Sequence, residues 1–360
     1  MSIIVQKMAK ILIIRLSAIG DVAMTIPVVY SAAKANLDDS FTVLTQTFLI
    51  PLFVNPPSNV KILGIDTKGS EKKLGGFLRF AFTLAGKNYD MALDLHNVIR
   101  SRMLDCIFRL KGKRVFVVEK TRRERKQLTK KPPKTISPLS AMTTCYADVF
   151  RRAGFCFEDT FTSLFAGCRN DSFTLPSIFG EKKGCRIGIA PFAKHTGKIY
   201  PIDEMEKVIA YLSKQPDTTL FFFGDRGYEE TILSQWEFQF PNTHNIAGRF
   251  SLVQELELIS RLDVLLCMDS ANMHFASLVG TKVVSIWGAT HPYAGFYGYK
   301  QRPQYAVQVE LPCRPCSIYG EKPCHRNDYD CLKQITPEQI IDKINYVLEK
   351  NKNEKSRYSS

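Results

Sequence analysis

Short aliphatic runs alternate along this chain with longer stretches in which apolar residues recur at helical spacing. Residues 11–16, I-L-I-I-R-L, read as a buried strand, 17–21 as a small-residue turn around Gly20, and 22–37 as a helix with Pro27 near its start. Further strands are predicted at 41–44, 91–95 and 114–118, with a helix over 74–84, the alternation of a parallel sheet with crossover helices. A polar, turn-rich interval at 166–184 precedes a second alternation. There, strands are expected at 186–190, 219–223, 264–268 and 282–287, and helices at 202–214, 228–239, 251–260 and 272–279. Thr336-Pro337 then opens a helix over 338–348. The fold class is therefore α/β, with two doubly wound parallel-sheet domains at 1–170 and 171–335, a C-terminal helix at 336–350 and a flexible tail at 351–360. Ligands of such sheets bind at the carboxyl ends of the strands, so chemistry is expected in the loops after Leu16, Leu95, Ala190, Phe223, Met268 and Trp287.

Composition narrows the class without changing this picture. The chain has 360 residues, 45% of them hydrophobic, enough for a core in both domains and unlike disordered, collagen-like or coiled-coil sequences. No apolar run reaches the roughly 18 residues of a membrane-spanning helix. The N-terminal Ile/Leu run is short and lacks a small-residue cleavage site, so no export signal is expected. Ten scattered cysteines then read as reduced thiols of a cytoplasmic protein. Charge is more informative: the net charge is +14, and residues 111–134 alone carry eleven Lys/Arg against two Glu. Such a patch attracts a polyanion, whether nucleic acid, an anionic membrane surface or a phosphorylated substrate, unless it is simply a solvated basic loop.

Three loops hold the candidate chemistry. Asp21, in S-A-I-G-D at the start of the first helix, is a carboxylate whose ordinary role would be capping; the single Gly20 does not make a dinucleotide-binding fingerprint. In C-M-D-S-A-N-M-H, a strand delivers Asp269 and Ser270 to a helix start, where backbone N–H groups and a hydroxyl suit phosphate. His274 lies one turn further on, and W-G-A-T-H-P at 287–292 follows the next strand. The loop P-F-A-K-H-T-G-K-I-Y-P at 191–201 has the lysines and threonine to neutralise a diphosphate, although an exposed polar loop would look the same.

Together, L-S-A-I-G-D-V-A-M-T-I-P, K-I-Y-P, D-S-A-N-M-H-F-A-S-L-V-G and I-W-G-A-T-H-P resemble glycosyltransferase family 9, the ADP-heptose:lipopolysaccharide heptosyltransferases. The resemblance implies the GT-B architecture of two facing Rossmann-like domains, an N-terminal acceptor half and a C-terminal donor half, and an inverting, metal-independent transfer. It implies that Asp21 is the general base for the acceptor hydroxyl and that Lys198 offsets charge on the departing diphosphate. Asp269 matches the carboxylate that contacts the donor sugar. Ser270, the Ala271 amide and His274 match the phosphate turn, with Lys194 and Thr196 as further donor contacts and Glu229 as a ribose contact. The chain departs from the family in having D-S-A where D-T-G is common and T-H-P where T-D-P is common. For the acceptor, His96, Asn97 and Arg100 end an N-domain strand and suit the hydroxyls and acidic groups of a sugar.

ADP-heptose is then a substrate and no cofactor is expected. The basic segment acquires a partner in the anionic lipopolysaccharide core, or lipid A, at the cytoplasmic face of the inner membrane. No metal site is expected; the weaker alternative is zinc on Cys313, Cys316, Cys324 and Cys331, whose C-x-x-C pair has no matching second half. Two other functions remain open from sequence: a nucleotide-sugar epimerase or hydrolase, or a GT-B transferase with another donor, and a nucleic-acid-binding protein. The last lacks any recognised binding pattern, and its basic segment has one aromatic residue, Phe116.

Overall fold

A computed structural model describes residues 8–130, 137–167, 179 and 184–358 of the chain. It divides into two compact units, one formed by residues up to Lys120 with Ser140–Phe165, the other by Thr121–Leu139 and everything from Ala166 onward. The expected linker at 166–184, with its boundary at 170, lies mostly outside the described residues.

The first unit opens with β1 (Lys10–Ile14), whose four aliphatic residues are all fully buried, as a central parallel strand requires. The predicted helix over 22–37 is instead two, α1 (Ile19–Ala23) and α2 (Ile26–Ala35). Pro27 has no N–H to donate and its ring crowds the carbonyl four residues back, so the helix restarts after Met24-Thr25. The chain continues through β2 (Ser40–Gln46), β3 (Val60–Ile65), α3 (Leu74–Ala85), β4 (Met91–Asp94), α4 (Ile99–Leu110) and β5 (Arg114–Val117). The sheet is parallel, in the order β3-β2-β1-β4-β5. β3 was not foreseen: V-K-I-L-G-I is half exposed on this edge and broken by Gly64, so its apolar run is weak.

The basic segment is split between the units. Residues 111–120 stay with the first, whereas α5 (Arg122–Leu128) belongs to the second, where the Arg125 guanidinium lies 4.3 Å from the Phe296 ring centroid and reaches Tyr319 Oη at 3.5 Å. This corrects the expectation that residues 1–170 form one continuous domain. The chain then returns to the first unit with α6 (Met142–Ala153), where Phe150 packs on Phe41, Phe155 and Phe157.

The second unit contains β6 (Cys185–Ala190), α7 (Ile202–Leu212), β7 (Thr218–Phe222), α8 (Tyr228–Gln239), β8 (Thr243–Asn245), α9 (Leu252–Ser260), β9 (Val264–Met268), α10 (Ala271–Val279), β10 (Val283–Ile286) and β11 (Ala306–Val307). Its parallel sheet runs β8-β7-β6-β9-β10-β11, the doubly wound order in which the chain starts centrally, moves to one edge and returns to the other side. A short helix, α11 (Asp330–Lys333), and a long one of 22 residues, α12 (Pro337–Tyr358), close the fold. α12 runs through the stretch expected as a tail, and Glu354 on it pairs with Arg302 at 2.6 Å and Lys282 at 3.7 Å.

Both sheets change direction beside their first strand, and the register shows what gathers there. Ile14 of β1 lies between Leu44 and Asp94, so the loops after β1, β2 and β4 open side by side. Met268 of β9 lies beside Ile286, and Cys267 beside Ala190, so the loops after β6, β9 and β10 do the same. These switch points are where open α/β sheets bind ligands.

Candidate active site

In the first unit the organising residue is Arg15, a charge at the end of an apolar strand. It is 4% exposed, and its guanidinium donates to Leu95 O at 2.7 Å, pairs with Asp21 Oδ2 at 2.7 Å and lies over the Tyr146 ring. A buried cation needs such partners, because an unpaired one would cost several kcal/mol, on the order of 3–5. Asp21, in the first turn of α1, keeps a side-chain exposure of 22% against 5% for Arg15, so the pair turns its carboxylate outward. Arg15 was not anticipated as a site residue. The signal available in the sequence was a lone arginine in an apolar run with one acid six residues later.

Asp94 builds the neighbouring loop. It is fully buried, and its Oδ1 accepts the N–H groups of His96 at 2.7 Å and Asn97 at 2.9 Å, a turn that tolerates the left-handed Asn97 at φ 49°. His96 Nδ1 accepts the Leu16 N–H and its Nε2 meets Ser17 Oγ, both at 3.4 Å. Burial, with Arg15 and Lys120 nearby, pushes the His96 pKa down to about 3, so the ring is neutral and carries its proton on Nε2. Asn97 is occupied elsewhere, donating to Val118 O and accepting from Arg102 Nε, both at 2.9 Å. His96 and Arg100, with Leu16, Ser17, Gln46, Thr67, Val98 and Ile99, line a 320 Å³ pocket; Asn97 is not among its walls. On α4, burial and the neighbouring Asp94 raise the Asp105 pKa to about 8.

In the second unit β9 delivers Asp269 to the sheet end, where its Oδ2 meets Lys198 Nζ at 2.8 Å and accepts from Thr290 Oγ1 at 2.9 Å. Here the cation is the more exposed partner, 14% against 9%. Ser270 is the N-cap of α10, and its Oγ is buried without a hydrogen-bond partner among the described residues. The first-turn N–H groups of α10, beginning at Ala271, have no partners within the helix, an arrangement that can hold an anion. His274 follows, buried, on the same helix.

Lys194 and Thr196 are exposed on the Lys198 loop. Glu229 Oε2 accepts the Asp225 N–H at 2.7 Å across the turn after β7, and burial raises its pKa. The structure therefore brings Lys198 and Asp269 together, with Ser270 next in the chain, and joins to them Thr290 of the W-G-A-T-H-P loop, a residue with no role of its own in the sequence motifs.

The cysteine-rich stretch supports this cluster from behind. Arg314, 1% exposed, donates to the carbonyls of Trp287, Gly288, Val309 and Thr290 and to Gln308 Oε1, fixing the loop that carries Thr290. Gly320, at φ +78°, lies against the Lys198 stem, so close that a Cβ there would sit 2.7 Å from Lys198 Cγ. Nothing in the local sequence distinguishes either residue. No group of three or more His, Cys, Asp or Glu side chains among the described residues, those of Cys313, Cys316, Cys324 and Cys331 included, is arranged to hold a metal.

A family model for glycosyltransferase family 9 (heptosyltransferase) matches residues 77–324. The chain belongs to this family. Lipooligosaccharide heptosyltransferase 2 of Campylobacter jejuni is 23% identical over 332 residues, 92% of this chain and 95% of that one. Among solved structures, a family 9 glycosyltransferase of Veillonella parvula superposes with a TM-score of 0.73 at 16% identity, covering 95% of this chain and 98% of that one. Escherichia coli heptosyltransferase WaaC with ADP-2-deoxy-2-fluoro heptose gives 0.67 at 16% identity, covering 94% and 99%. This family 9 chain is thus a glycosyltransferase with the GT-B fold of two parallel-sheet α/β domains, as the sequence motifs implied.

Proposed function

We propose that this family 9 enzyme transfers heptose from ADP-heptose to the inner core of lipopolysaccharide by single displacement with inversion, without a metal. Asp21 takes the proton of the acceptor hydroxyl as that oxygen attacks the anomeric carbon. The bond to the diphosphate breaks as the new bond forms, and Lys198, Ser270 Oγ and the first-turn amides of α10 offset the charge on the leaving ADP. Asp269 holds Lys198 in place and, in this reading, contacts the donor sugar, with His274 beside the phosphates. Lys194 and Thr196 are secondary diphosphate contacts, and Glu229 binds the ribose.

The acceptor contacts are His96 and Arg100, whose guanidinium suits an acidic sugar or phosphate. Asn97 shapes that loop by its backbone bonds. The acceptor is lipid-linked, and the enzyme works as a peripheral protein at the anionic cytoplasmic face of the inner membrane.

The observation that carries this reading is the opposite polarity of the two ion pairs. Arg15–Asp21 presents a carboxylate, as a base requires, and Lys198–Asp269 presents an ammonium, as a diphosphate requires. A panel of nucleotide-sugar donors, assayed by mass spectrometry with and without a truncated lipopolysaccharide acceptor, tests it. Heptosylated acceptor formed from ADP-heptose is the expected product. Release of ADP that is indifferent to acceptor would make the protein a donor hydrolase or epimerase instead.

A further inference from the structure

Around the mouth of the first unit's pocket, large apolar side chains stand in solvent. Ile99, on the pocket wall, is 80% exposed, and Phe48, in the turn Thr47–Leu52, is 56% exposed. α3 carries the same feature further. It buries Phe77, Ala81 and Leu84 against the unit's core yet leaves Leu74 61% and Phe82 52% exposed, with half-buried Leu78 between them at four-residue steps. A helix that is apolar on its outer side as well as its inner one has an unmet partner.

The charges beside this face indicate what the partner is. Lys68 extends over the Phe48 ring at 5.6 Å, Lys72 and Lys73 are exposed just before Leu74, and Arg100 reaches Lys72 O at 3.3 Å, linking the pocket wall to the foot of α3. Arg79 is exposed on the helix itself. The two acids of the region are engaged in closing its turn. Asp66 Oδ1 accepts the N–H groups of Lys68 and Gly69, and Glu71 Oε2 accepts that of Asp66. The result is a row of aliphatic and aromatic side chains flanked by exposed cations, the composition that settles at the headgroup level of an anionic bilayer.

We infer that the rim formed by Phe48, Leu74 and Phe82 with Lys68, Lys72 and Lys73 seats the enzyme on an anionic lipid bilayer, bringing the pocket mouth to the headgroups from which a lipid-linked acceptor projects. This deepens the proposed function, resting on it for the acceptor, and it assigns the membrane contact to the 48–82 rim in place of residues 111–134.

The test is co-sedimentation of the full chain with vesicles of phosphatidylcholine containing phosphatidylglycerol, compared with phosphatidylcholine alone. L74E/F82E is expected to lower partitioning onto the anionic vesicles by about tenfold or more, with its melting temperature close to that of the parent chain; glutamate at the first position of α3 favours the helix. K72Q/K73Q, which leaves the apolar face intact, is expected to lose about fivefold per lysine at low salt, and R122Q/R123Q on α5 to lose less. L74E/F82E should transfer to a deacylated, water-soluble acceptor at the parent rate and to a vesicle-embedded acceptor more slowly. The inference is overturned if the parent chain ignores anionic vesicles, if L74E/F82E binds them as well as the parent does, or if light scattering shows a dimer that L74E/F82E dissociates, which would make a second copy the occupant. Vesicle binding lost in L74E/F82E, with no transfer to any acceptor by the parent, would leave this surface standing and sink the proposed activity.

Discussion

The two units solve the same problem with opposite polarity. Each delivers a carboxylate to the switch point of a doubly wound sheet and gives it a cation, but the first buries the cation and the second shields the carboxylate. The cause is the position of each charge relative to its strand. Arg15 directly follows β1, between β2 and β4, and can only reach inward carbonyls and one acid; Lys198 sits in a turn beyond β6 and comes down onto Asp269 from outside. Which ion faces the ligand therefore depends on which member of the pair the sheet supplies. The supporting shell differs too. Backbone turns around Asp94 build the first site, whereas the second depends on Arg314 and Gly320, more than a hundred residues beyond Lys198.

If the outward carboxylate is the base, Asp21→Asn, which keeps the shape and removes the proton acceptor, should lower transfer by about 100- to 10,000-fold while ADP binding measured by calorimetry stays near the parent value. Robust turnover by this variant would break the comparison at its first term. Lys198→Ala tests the second term. ADP affinity should fall by about tenfold or more, as for loss of a charge-assisted contact. The fold should also weaken, since Asp269 is left buried with Thr290 as its side-chain partner among the described residues. Unchanged ADP affinity would remove Lys198 from the donor site.

Gly320→Ala sharpens the claim that the cysteine-rich stretch sets the Lys198 pose. The left-handed backbone costs a non-glycine residue about 1–2 kcal/mol, and the added methyl meets the lysine stem. The expected result is a lower melting temperature with a raised KM for the donor and a smaller change in kcat. An unaltered KM would confine Gly320 to stability.

The smallest effect concerns the carboxyl group beside Asp94. Because the Asp105 pKa is raised to about 8 by burial and Asp94, the folded state holds a proton that the unfolded chain loses near its ordinary value. Stability from this group is full below about pH 4 and is lost as pH rises through about 8. Asp105→Asn should therefore show a flatter dependence of melting temperature on pH between 5 and 8 than the parent chain, and parallel curves would refute the assignment.

The periodicity of the sequence was sufficient for both sheets' central strands, because ILII and VLLCM are continuous apolar runs and CRIGIA is one but for Arg186, as suits parallel strands covered on both faces. It was insufficient for β3, β8 and β11, edge strands whose residues are half exposed or too few to show a period. Motif spacing singled out Asp21, Asp269 and Ser270 because they lie in the first turn of a helix, directly after a strand and at a helix N-cap, and Lys198 because it lies in the loop that joins β6 to α7, relations that are local along the chain. Arg15, Thr290, Arg314 and Gly320 were not legible in the same way. Their roles come from partners 6, 21, 24 and 122 positions away, respectively, and only packing brings those together. Residues 111–134 show the same limit. Their charge is a property of the sequence, but their division between two units was decided by where Arg125 found an aromatic face to cover it. What local covalent order imposes, namely strand, turn, helix and net charge, the sequence determined by itself. Which ion of each pair meets solvent was left to tertiary structure, because burial is set by neighbours that the chain supplies from elsewhere.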